Sequence, residues 1–212
     1  MFSRKYVGRD VRRYWKHGLD KRAQVLADCL KSLGISGRSV LEIGCGIGVL
    51  QAELVRSGAA SATGLDASAA SVEAAVEVAK RLGLDEKLEY RTLDFALQES
   101  EVEGADIVVM DRVICCYPNM EGLVGPAARH ARHLCALVYP RYTWWMRLAG
   151  AVFNSWLVAT RSPFRFFMRP ASRVAEVMTS EGFLPVFDQS WRLWRIVVYQ
   201  RARDSDDQTS PA

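Results

Sequence analysis

Residues 39–48 read Ser-Val-Leu-Glu-Ile-Gly-Cys-Gly-Ile-Gly, and the interpretation of the whole chain starts from this stretch. The apolar run at 40–43 is typical of a buried parallel strand, and three glycines follow it at alternate positions. Glycine lets a backbone turn sharply and approach a ligand without a Cβ clash. Because open α/β sheets bind ligands at the carboxyl ends of their strands, the sequence predicts a ligand-binding loop here.

Strand-like and helix-like segments alternate on both sides of this loop. Strands are predicted at 39–43, 61–65, 88–92, 106–110 and 134–139. Helices are predicted at 48–57, 68–82, 123–132 and 173–180. Two last strands, 183–187 and 193–199, are separated only by a short turn, which predicts an antiparallel pair. The expected fold class is α/β, with a doubly wound, mostly parallel, Rossmann-like seven-stranded sheet that ends in a C-terminal antiparallel hairpin.

We expect a single domain over residues 1–202, with two additions to the alternating pattern. Residues 1–36 are predicted to form a basic, helical N-terminal cap. Residues 141–173 form an aromatic, arginine-rich insert after the fifth strand. Residues 203–212 are polar and are predicted to be a disordered tail.

The net charge is small in total but uneven along the chain. The 212 residues carry +4. Residues 1–22 contribute +6, residues 23–140 contribute −6, and residues 141–173 contain six arginines and no carboxylate. This distribution alone is compatible with a nucleic acid, a membrane surface or an acidic small molecule as partner.

Several protein classes are disfavoured by what the sequence lacks. It has no secretory signal pattern, and its longest apolar stretch, 144–160, is interrupted by Arg147 and Asn154. The five cysteines have no zinc-binding spacing, so we expect free thiols, no metal and a cytoplasmic location. No recognisable nucleic-acid-binding module is present, which disfavours nucleic acid as a partner.

An acid follows the second predicted strand at Asp66, 22 residues after Gly44. A carboxylate at this place can accept hydrogen bonds from both hydroxyls of a ribose. The dinucleotide pattern G-x-G-x-x-G does not fit, because Val49 stands where its last glycine would be, and the P-loop lysine is absent. The pattern present is E-x-G-x-G-x-G after a strand, with a spaced acid on the next strand.

These residues resemble the class I S-adenosylmethionine-dependent methyltransferases, over roughly residues 37–140 and 174–200. The resemblance implies S-adenosyl-L-methionine as the cofactor, S-adenosyl-L-homocysteine as the product and no metal. It implies that the glycine loop lines the methionine half, that Asp66 holds the ribose and that Asp94 meets the adenine. The residues implied to bind the cofactor are Glu42, Gly44, Cys45, Gly46, Gly48, Asp66, Ala67, Asp94, Phe95 and Asp111.

This cofactor would also explain the acidic middle of the chain. A carboxylate-rich cradle favours binding of the sulfonium cation, which loses its charge on methyl transfer. Catalysis would then depend chiefly on aligning the acceptor atom with the S–CH₃ bond.

The segment after the fourth strand bears on the acceptor. Cys115-Cys116-Tyr117-Pro118-Asn119 stands where amino-methylating enzymes have an Asn- or Asp-Pro-Pro-aromatic box. The segment resembles the small-molecule branch instead, with a faint similarity to the magnesium-protoporphyrin O-methyltransferases. We therefore expect a small, anionic or aromatic acceptor, with O-methylation favoured.

The insert at 141–173 is the predicted acceptor lid, because it lies near the carboxyl edge of the sheet. Aromatic side chains would supply its apolar surface, and arginines would bind an anionic group. The predicted substrate-binding residues are Tyr117, Tyr142, Trp145, Arg165 and Arg169. Two alternatives stay open: a packing lid with solvated arginines, and a surface helix at 144–158 in peripheral contact with an anionic membrane.

The sequence offers several candidates for a general base and does not choose among them. Asp111, Tyr117 and His130 are the candidate catalytic residues, and Tyr139 is a further one. A carboxylate acceptor would need no base, because it is already ionised. An RNA methyltransferase and a non-catalytic S-adenosylmethionine-binding partner protein are the alternative functions, and the sequence does not indicate an oligomeric state.

Overall fold

The computed structural model describes residues 4–162 and 164–202, and in this part of the chain one seven-stranded sheet forms the centre of the molecule. The strands are β1 (Ser39–Ile43), β2 (Ser61–Asp66), β3 (Leu88–Thr92), β4 (Ala105–Asp111), β5 (Ala131–Pro140), β6 (Phe183–Trp191) and β7 (Trp194–Arg201). Their order is β3-β2-β1-β4-β5-β7-β6. The first five strands are parallel, and β7 pairs antiparallel with both β5 and β6. The predicted fold class is confirmed, while the predicted tail at 203–212 lies outside the described residues.

Helices flank the sheet and form the cap and part of the insert. They are α1 (Arg4–His17), α2 (Lys21–Ser32), α3 (Val49–Arg56), α4 (Ala69–Leu82), α5 (Phe95–Gln98), α6 (Glu121–His130), α7 (Trp144–Ala159) and α8 (Ala171–Ser180). Short 3₁₀ turns lie at Glu99–Glu101 and Ile114–Cys116. Among these described helices, none is long and apolar enough to cross a membrane.

Capping side chains define where two of the helices begin. Asp20 accepts a hydrogen bond from the Ala23 amide at 2.9 Å and so starts α2. Ser68 does the same for α4 through the Ser71 amide, and Gly83 ends that helix in the left-handed conformation. These caps fix the position of each helix relative to the strand ends beside it.

The core has one layer on each face of the sheet. Val108 and Met110 of β4 point into the layer that contains α6 and α8, whereas Ile107 and Val109 point into the layer that contains α2 and α3. All four side chains are buried. A strand that is apolar on both faces is what a central parallel strand requires, as its continuous apolar run predicts.

The element boundaries differ most from prediction in two places. Helix α6 ends at His130, so β5 begins at Ala131 instead of residue 134. Strand β6 continues to Trp191, so the hairpin turn is far shorter than the predicted 188–192. The polar residues of β6 are tolerated because it is an edge strand, where Asp188 accepts a 2.9 Å hydrogen bond from Arg195 on β7.

Candidate active site

The loop between β1 and α3 contains glycines in a conformation that other residues avoid. Gly44, Gly46 and Gly48 have φ angles of 75°, 56° and 72°. A Cβ atom at Gly44 would lie 2.3 Å from Val113, and one at Gly48 would lie 2.3 Å from Tyr90. A Cβ at Gly46 would meet nothing within 4 Å. Gly44 and Gly48 therefore allow close packing, whereas Gly46 leaves open space in front of its backbone.

Asp66, the last residue of β2, holds this loop in place. One carboxylate oxygen accepts a hydrogen bond from the Gly46 amide at 2.9 Å, and the other accepts one from the Ser68 amide at 2.8 Å. Burial raises the pKa of Asp66, and the two amide hydrogen bonds oppose that effect. Each oxygen has a second lone pair, so the carboxylate can still accept hydrogen bonds from a ligand.

A cavity of about 510 Å³ opens at this edge of the sheet. Its volume lies within the range of about 300–1,000 Å³ that is usual for small-molecule sites. It brings together seven of the residues predicted from the sequence to bind the cofactor, which come from four separate segments of chain. They are Gly44, Gly46, Asp66, Ala67, Asp94, Phe95 and Asp111.

A smaller polar cleft of about 160 Å³ adjoins the same loop and is lined by Glu42 and Cys45. Glu42 is buried, and within the described residues its Oε2 atom has no hydrogen-bond partner. Burial raises the pKa of Glu42 well above its ordinary value, and the nearby Asp111 and Asp66 carboxylates raise it further. The Oε2 atom of Glu42 is therefore an unsatisfied hydrogen-bond acceptor at the site. A cationic group on a ligand would satisfy it by donating a hydrogen bond. Gly48, by contrast, lies against Tyr90 and lines neither the cavity nor the cleft.

Asp111 forms an ion pair with Arg22, a residue that was not predicted from the sequence. Arg22 of α2 is 5% exposed, forms an ion pair with Asp111, and donates a 2.8 Å hydrogen bond to Asp20. It interrupts an apolar stripe that includes Leu26 and Leu30, and this interruption was its one signal in the sequence. Since Asp111 is held by a permanent cation, its predicted role as a general base is not favoured by the structure.

The other candidate bases have different surroundings. Tyr117 lines the cavity, but burial and the neighbouring Asp94 carboxylate raise the pKa of its hydroxyl. The His130 ring lies behind Phe95, and its two nitrogens face the carbonyl oxygens of Pro126, Glu99 and Val102. Tyr139 is buried in the core. His130 and Tyr139 do not line the cavity, so the structure does not favour either one as the base.

The four insert residues predicted to bind substrate also lie away from the cavity. Tyr142 and Trp145 are 42% and 45% exposed, on the outside of the molecule. Arg165 donates to the carbonyl oxygen of Phe164 at 2.7 Å, and Arg169 donates to those of Tyr117 and Pro118. The two guanidinium groups thus stabilise the extended chain that follows α7. In this placement Arg165 and Arg169 do not line the cavity, and their predicted anion clamp stays a prediction.

Other residues line the same cavity as Asp66 and Asp94. They come from α1, from the end of β4 and the following turn, from the extended part of the insert, and from β7. The main members are Tyr6, Arg9, Arg13, Arg112, Cys115, Cys116, Phe164, Phe166 and Trp194. Only the basic composition of the cap and the aromatic composition of the insert indicated them in advance, without selecting individual residues.

Arg112 is the most constrained of these residues. Its φ angle is 63°, which is uncommon for a residue with a side chain. Its amide donates to the Val138 carbonyl at 2.9 Å, and its guanidinium lies 3.6 Å from Asp111 and 6.0 Å from the centre of the Trp194 ring. Strained residues cluster at functional sites, where the surrounding structure maintains them. The half-exposed guanidinium of Arg112 thus lies between the large cavity and the smaller polar cleft.

Comparison with known proteins shows which proteins this chain resembles. Residues 40–134 match a family model described as a methyltransferase domain. The solved structure of magnesium protoporphyrin IX methyltransferase from Synechocystis PCC 6803, with bound SAH, has a TM-score of 0.71 at 20% identity and covers 86% of this chain and 82% of that one. Residues 40–134 of this chain are thus similar in sequence to a methyltransferase domain, and the described chain has the fold of that solved methyltransferase. The methyltransferase resemblance predicted from the glycine loop and Asp66 is confirmed over these residues.

Curated relatives of this chain differ in the acceptors that their names state. A ribosomal protein L11 methyltransferase from Klebsiella pneumoniae is 28% identical over 142 residues, which cover 57% of this chain and 47% of the relative. A ubiquinone biosynthesis O-methyltransferase from Psychrobacter cryohalolentis is 31% identical over 121 residues, which cover 56% and 44%. The chain spans about half the length of these relatives.

Proposed function

We propose that the protein transfers a methyl group from S-adenosyl-L-methionine to a small acceptor of anionic or aromatic character, with O-methylation favoured. The proposal rests on one main observation. Gly46, Asp66 and Asp94 line the same cavity as three arginines and several aromatic rings. The cavity therefore contains residues suited to a cationic nucleoside donor, called here the donor side, and residues suited to an electron-rich acceptor, called the acceptor side.

The residues of the donor side fit the cofactor. The open space in front of Gly46 would admit a ligand close to the backbone, and Asp66, which lines the same cavity at the end of β2, would accept hydrogen bonds from the ribose hydroxyls. Phe95 and Asp94 would hold the adenine. The unsatisfied Oε2 of Glu42 would accept from the ammonium of the methionine half. When bound, the cofactor supplies an electrophilic methyl group on a sulfonium.

The arginines of the acceptor side favour a negatively charged acceptor. Arg9 and Arg13 of α1 and Arg112 after β4 line the cavity. Nearby cations lower the pKa of an acidic acceptor and stabilise its ionised form. An acceptor that is ionised before it reacts needs no general base. This suits a site where Asp111 is paired with Arg22 and where the Tyr117 pKa is raised.

The aromatic part of the acceptor side would orient a flat substrate and exclude water. Phe164 and Phe166 come from the insert and Trp194 from β7. Apolar walls of this kind keep the acceptor in a fixed position relative to the donor. Holding two reactants in alignment can contribute about 7–11 kcal/mol to lowering the barrier.

Transfer of a tritiated methyl group into a cell extract tests the proposal. The extract is incubated with the protein and labelled cofactor, then split into small-molecule, RNA and protein fractions. We expect the label in the small-molecule fraction and its loss with a Gly46→Ala variant. Label confined to RNA or protein would overturn the small-molecule acceptor. Cofactor binding without label in any fraction would support the non-catalytic alternative.

A further inference from the structure

Helix α7 presents an apolar face to solvent. Trp144, Leu148, Val152, Trp156 and Val158 are between 57% and 76% exposed. On a helical wheel they spread over the side opposite Met146, Gly150 and Leu157, which are the buried residues of this helix. Contiguous exposed apolar patches are rare on soluble monomers and mark sites of interaction.

The charges around α7 are of one sign. From residue 122 to residue 175 the sequence contains no aspartate or glutamate. Arg141 precedes the helix, Arg147 lies on its first half and Arg161 follows it, and all three are exposed. Within the described part of the chain, no carboxylate lies within 4 Å of these three arginines. The partner of this face must therefore accept tryptophan and leucine side chains while supplying negative charge.

We propose that α7 is an interfacial helix that binds the surface of an anionic phospholipid bilayer. Its apolar face would lie among the acyl chains just below the headgroups, and its arginines would contact the lipid phosphates. Tryptophan suits this depth, because its ring is apolar and its N–H can remain hydrated. At 16 residues, α7 lies on the bilayer and does not span it.

Contacts beneath α7 connect this surface to the cavity. The side chain of Asn154 donates to the Phe166 carbonyl at 2.7 Å and accepts from the Phe166 amide at 2.8 Å. Phe153 packs edge-to-face on Phe166, with 6.4 Å between the ring centres. Phe166 lines the cavity. An acceptor dissolved in the bilayer would thus enter beside α7 without crossing bulk water, a consequence that rests on the proposed function.

Vesicle sedimentation tests the membrane contact without reference to catalysis. The full chain is mixed with vesicles of phosphatidylcholine alone, or of phosphatidylcholine with about one third phosphatidylglycerol. We expect binding to the anionic vesicles, and a blue shift of tryptophan emission that brominated phospholipids quench. A Leu148→Ser/Val152→Ser double variant should bind at least about tenfold more weakly. Arg147→Gln should lose about fivefold on anionic vesicles and little on neutral ones.

Two controls separate this proposal from its alternatives. Leu184→Ser/Val186→Ser removes two exposed apolar side chains from edge strand β6 and should bind vesicles as the parent does. Gly46→Ala should also bind vesicles normally, so loss of methyl transfer and loss of membrane binding remain distinguishable. Equal binding by the Leu148→Ser/Val152→Ser variant would overturn the proposal. So would a failure to bind vesicles combined with self-association in sedimentation velocity that this variant abolishes, because α7 would then pair with a second copy.

Discussion

The backbone amide of Gly46 donates a 2.9 Å hydrogen bond to the carboxylate of Asp66. This bond joins the end of β2 to the loop after β1, although the two residues are 20 positions apart. It places the open backbone of Gly46 and the remaining lone pairs of Asp66 side by side on one cavity wall. The nucleoside and methionine halves of the proposed cofactor would meet at this point.

Gly46→Ala should weaken cofactor binding strongly. Its effect on the free energy of unfolding should be little more than the usual cost of an alanine in the left-handed conformation. A left-handed backbone costs a non-glycine residue about 1–2 kcal/mol of stability. The new methyl group would stand in the space that a ligand must occupy, so we expect affinity for S-adenosylmethionine to fall by at least about tenfold, which corresponds to about 1.4 kcal/mol. Calorimetric titration and urea unfolding measure the two effects separately.

Gly83→Ala is the matched control for this change. Gly83 has a similar φ of 64°, and a Cβ atom there would also meet nothing within 4 Å, but this glycine caps α4 and does not line the cavity. We expect a similar loss of stability and an unchanged affinity. If both variants weakened binding equally, the effect would be a general one and the role given to Gly46 would be wrong.

Glu42 should make cofactor binding depend on pH. Burial raises the pKa of Glu42, so the neutral acid predominates over a wider pH range than usual. A bound ammonium favours the ionised form, so binding below that raised pKa must release a proton. We expect affinity to weaken as the pH falls, and calorimetry in two buffers of different ionisation enthalpy to detect the released proton. Glu42→Gln should bind more weakly and without this pH dependence.

The Glu42 carboxyl should also affect the free energy of unfolding. Acidification weakens cofactor binding through this group, but it reduces the destabilisation that the group causes. A carboxyl whose pKa is raised on folding destabilises the folded protein at neutral pH. The penalty shrinks as the pH falls from the raised folded-state pKa toward the ordinary value of the unfolded chain. Glu42→Gln should therefore unfold at a higher urea concentration than the parent at neutral pH, with a gap that closes on acidification. A gap that widened on acidification would contradict the raised pKa.

Breaking the Arg22–Asp111 ion pair from one side should be strongly destabilising. Their side chains are 6% and 10% exposed, so removing one partner leaves a buried charge without compensation. Arg22→Met alone should reduce the free energy of unfolding by about 3–5 kcal/mol. Adding Asp111→Asn should recover a large part of that loss in a double-mutant cycle. Strictly additive losses would show that the two charges are not coupled.

Cys116 should react with alkylating reagents before the other four cysteines. Its sulfur lies 3.7 Å from that of Cys115, and this hydrogen bond together with the charge of Arg112 lowers the pKa of Cys116. Burial raises the pKa of Cys29 to about 11 and that of Cys135 to about 12. Iodoacetamide labelling followed by mass spectrometry should give one fast site, and S-adenosylmethionine should slow it if the ligand fills the cavity. Fast labelling that survived Cys116→Ser would assign the reactivity elsewhere.

The sequence was sufficient for the parts of the molecule that local pattern determines. The apolar run before Gly44 and the acid at Asp66 predicted the sheet, the loop and the family, because strand, turn and acid follow one another closely along the chain. The same holds for Asp94 and Phe95, which directly follow β3 and line the cavity. The carboxyl ends of neighbouring parallel strands meet at one edge, so their positions follow from topology.

Long-range contacts account for what the sequence did not predict. Arg22 meets Asp111 across 89 positions, and no periodicity of the chain relates the two. The insert arginines were predicted from composition, yet Arg165 and Arg169 are bound to backbone carbonyls of the chain that they support. The cavity arginines are instead Arg9, Arg13 and Arg112, from α1 and from the end of β4. Net charge indicated the cap and insert but not which guanidinium groups face the site.

Calorimetric titration of S-adenosylmethionine into the parent protein and into an Asp66→Ala variant tests the cofactor site most directly. Hydrogen bonds to a charged group contribute about 1.5–3 kcal/mol each. We therefore expect the parent to bind one equivalent, and the variant to bind about ten- to a hundredfold more weakly while remaining folded. An absence of binding to the folded parent at about millimolar ligand, or equal affinity in the two proteins, would contradict the assignment of this cavity to the methyl donor.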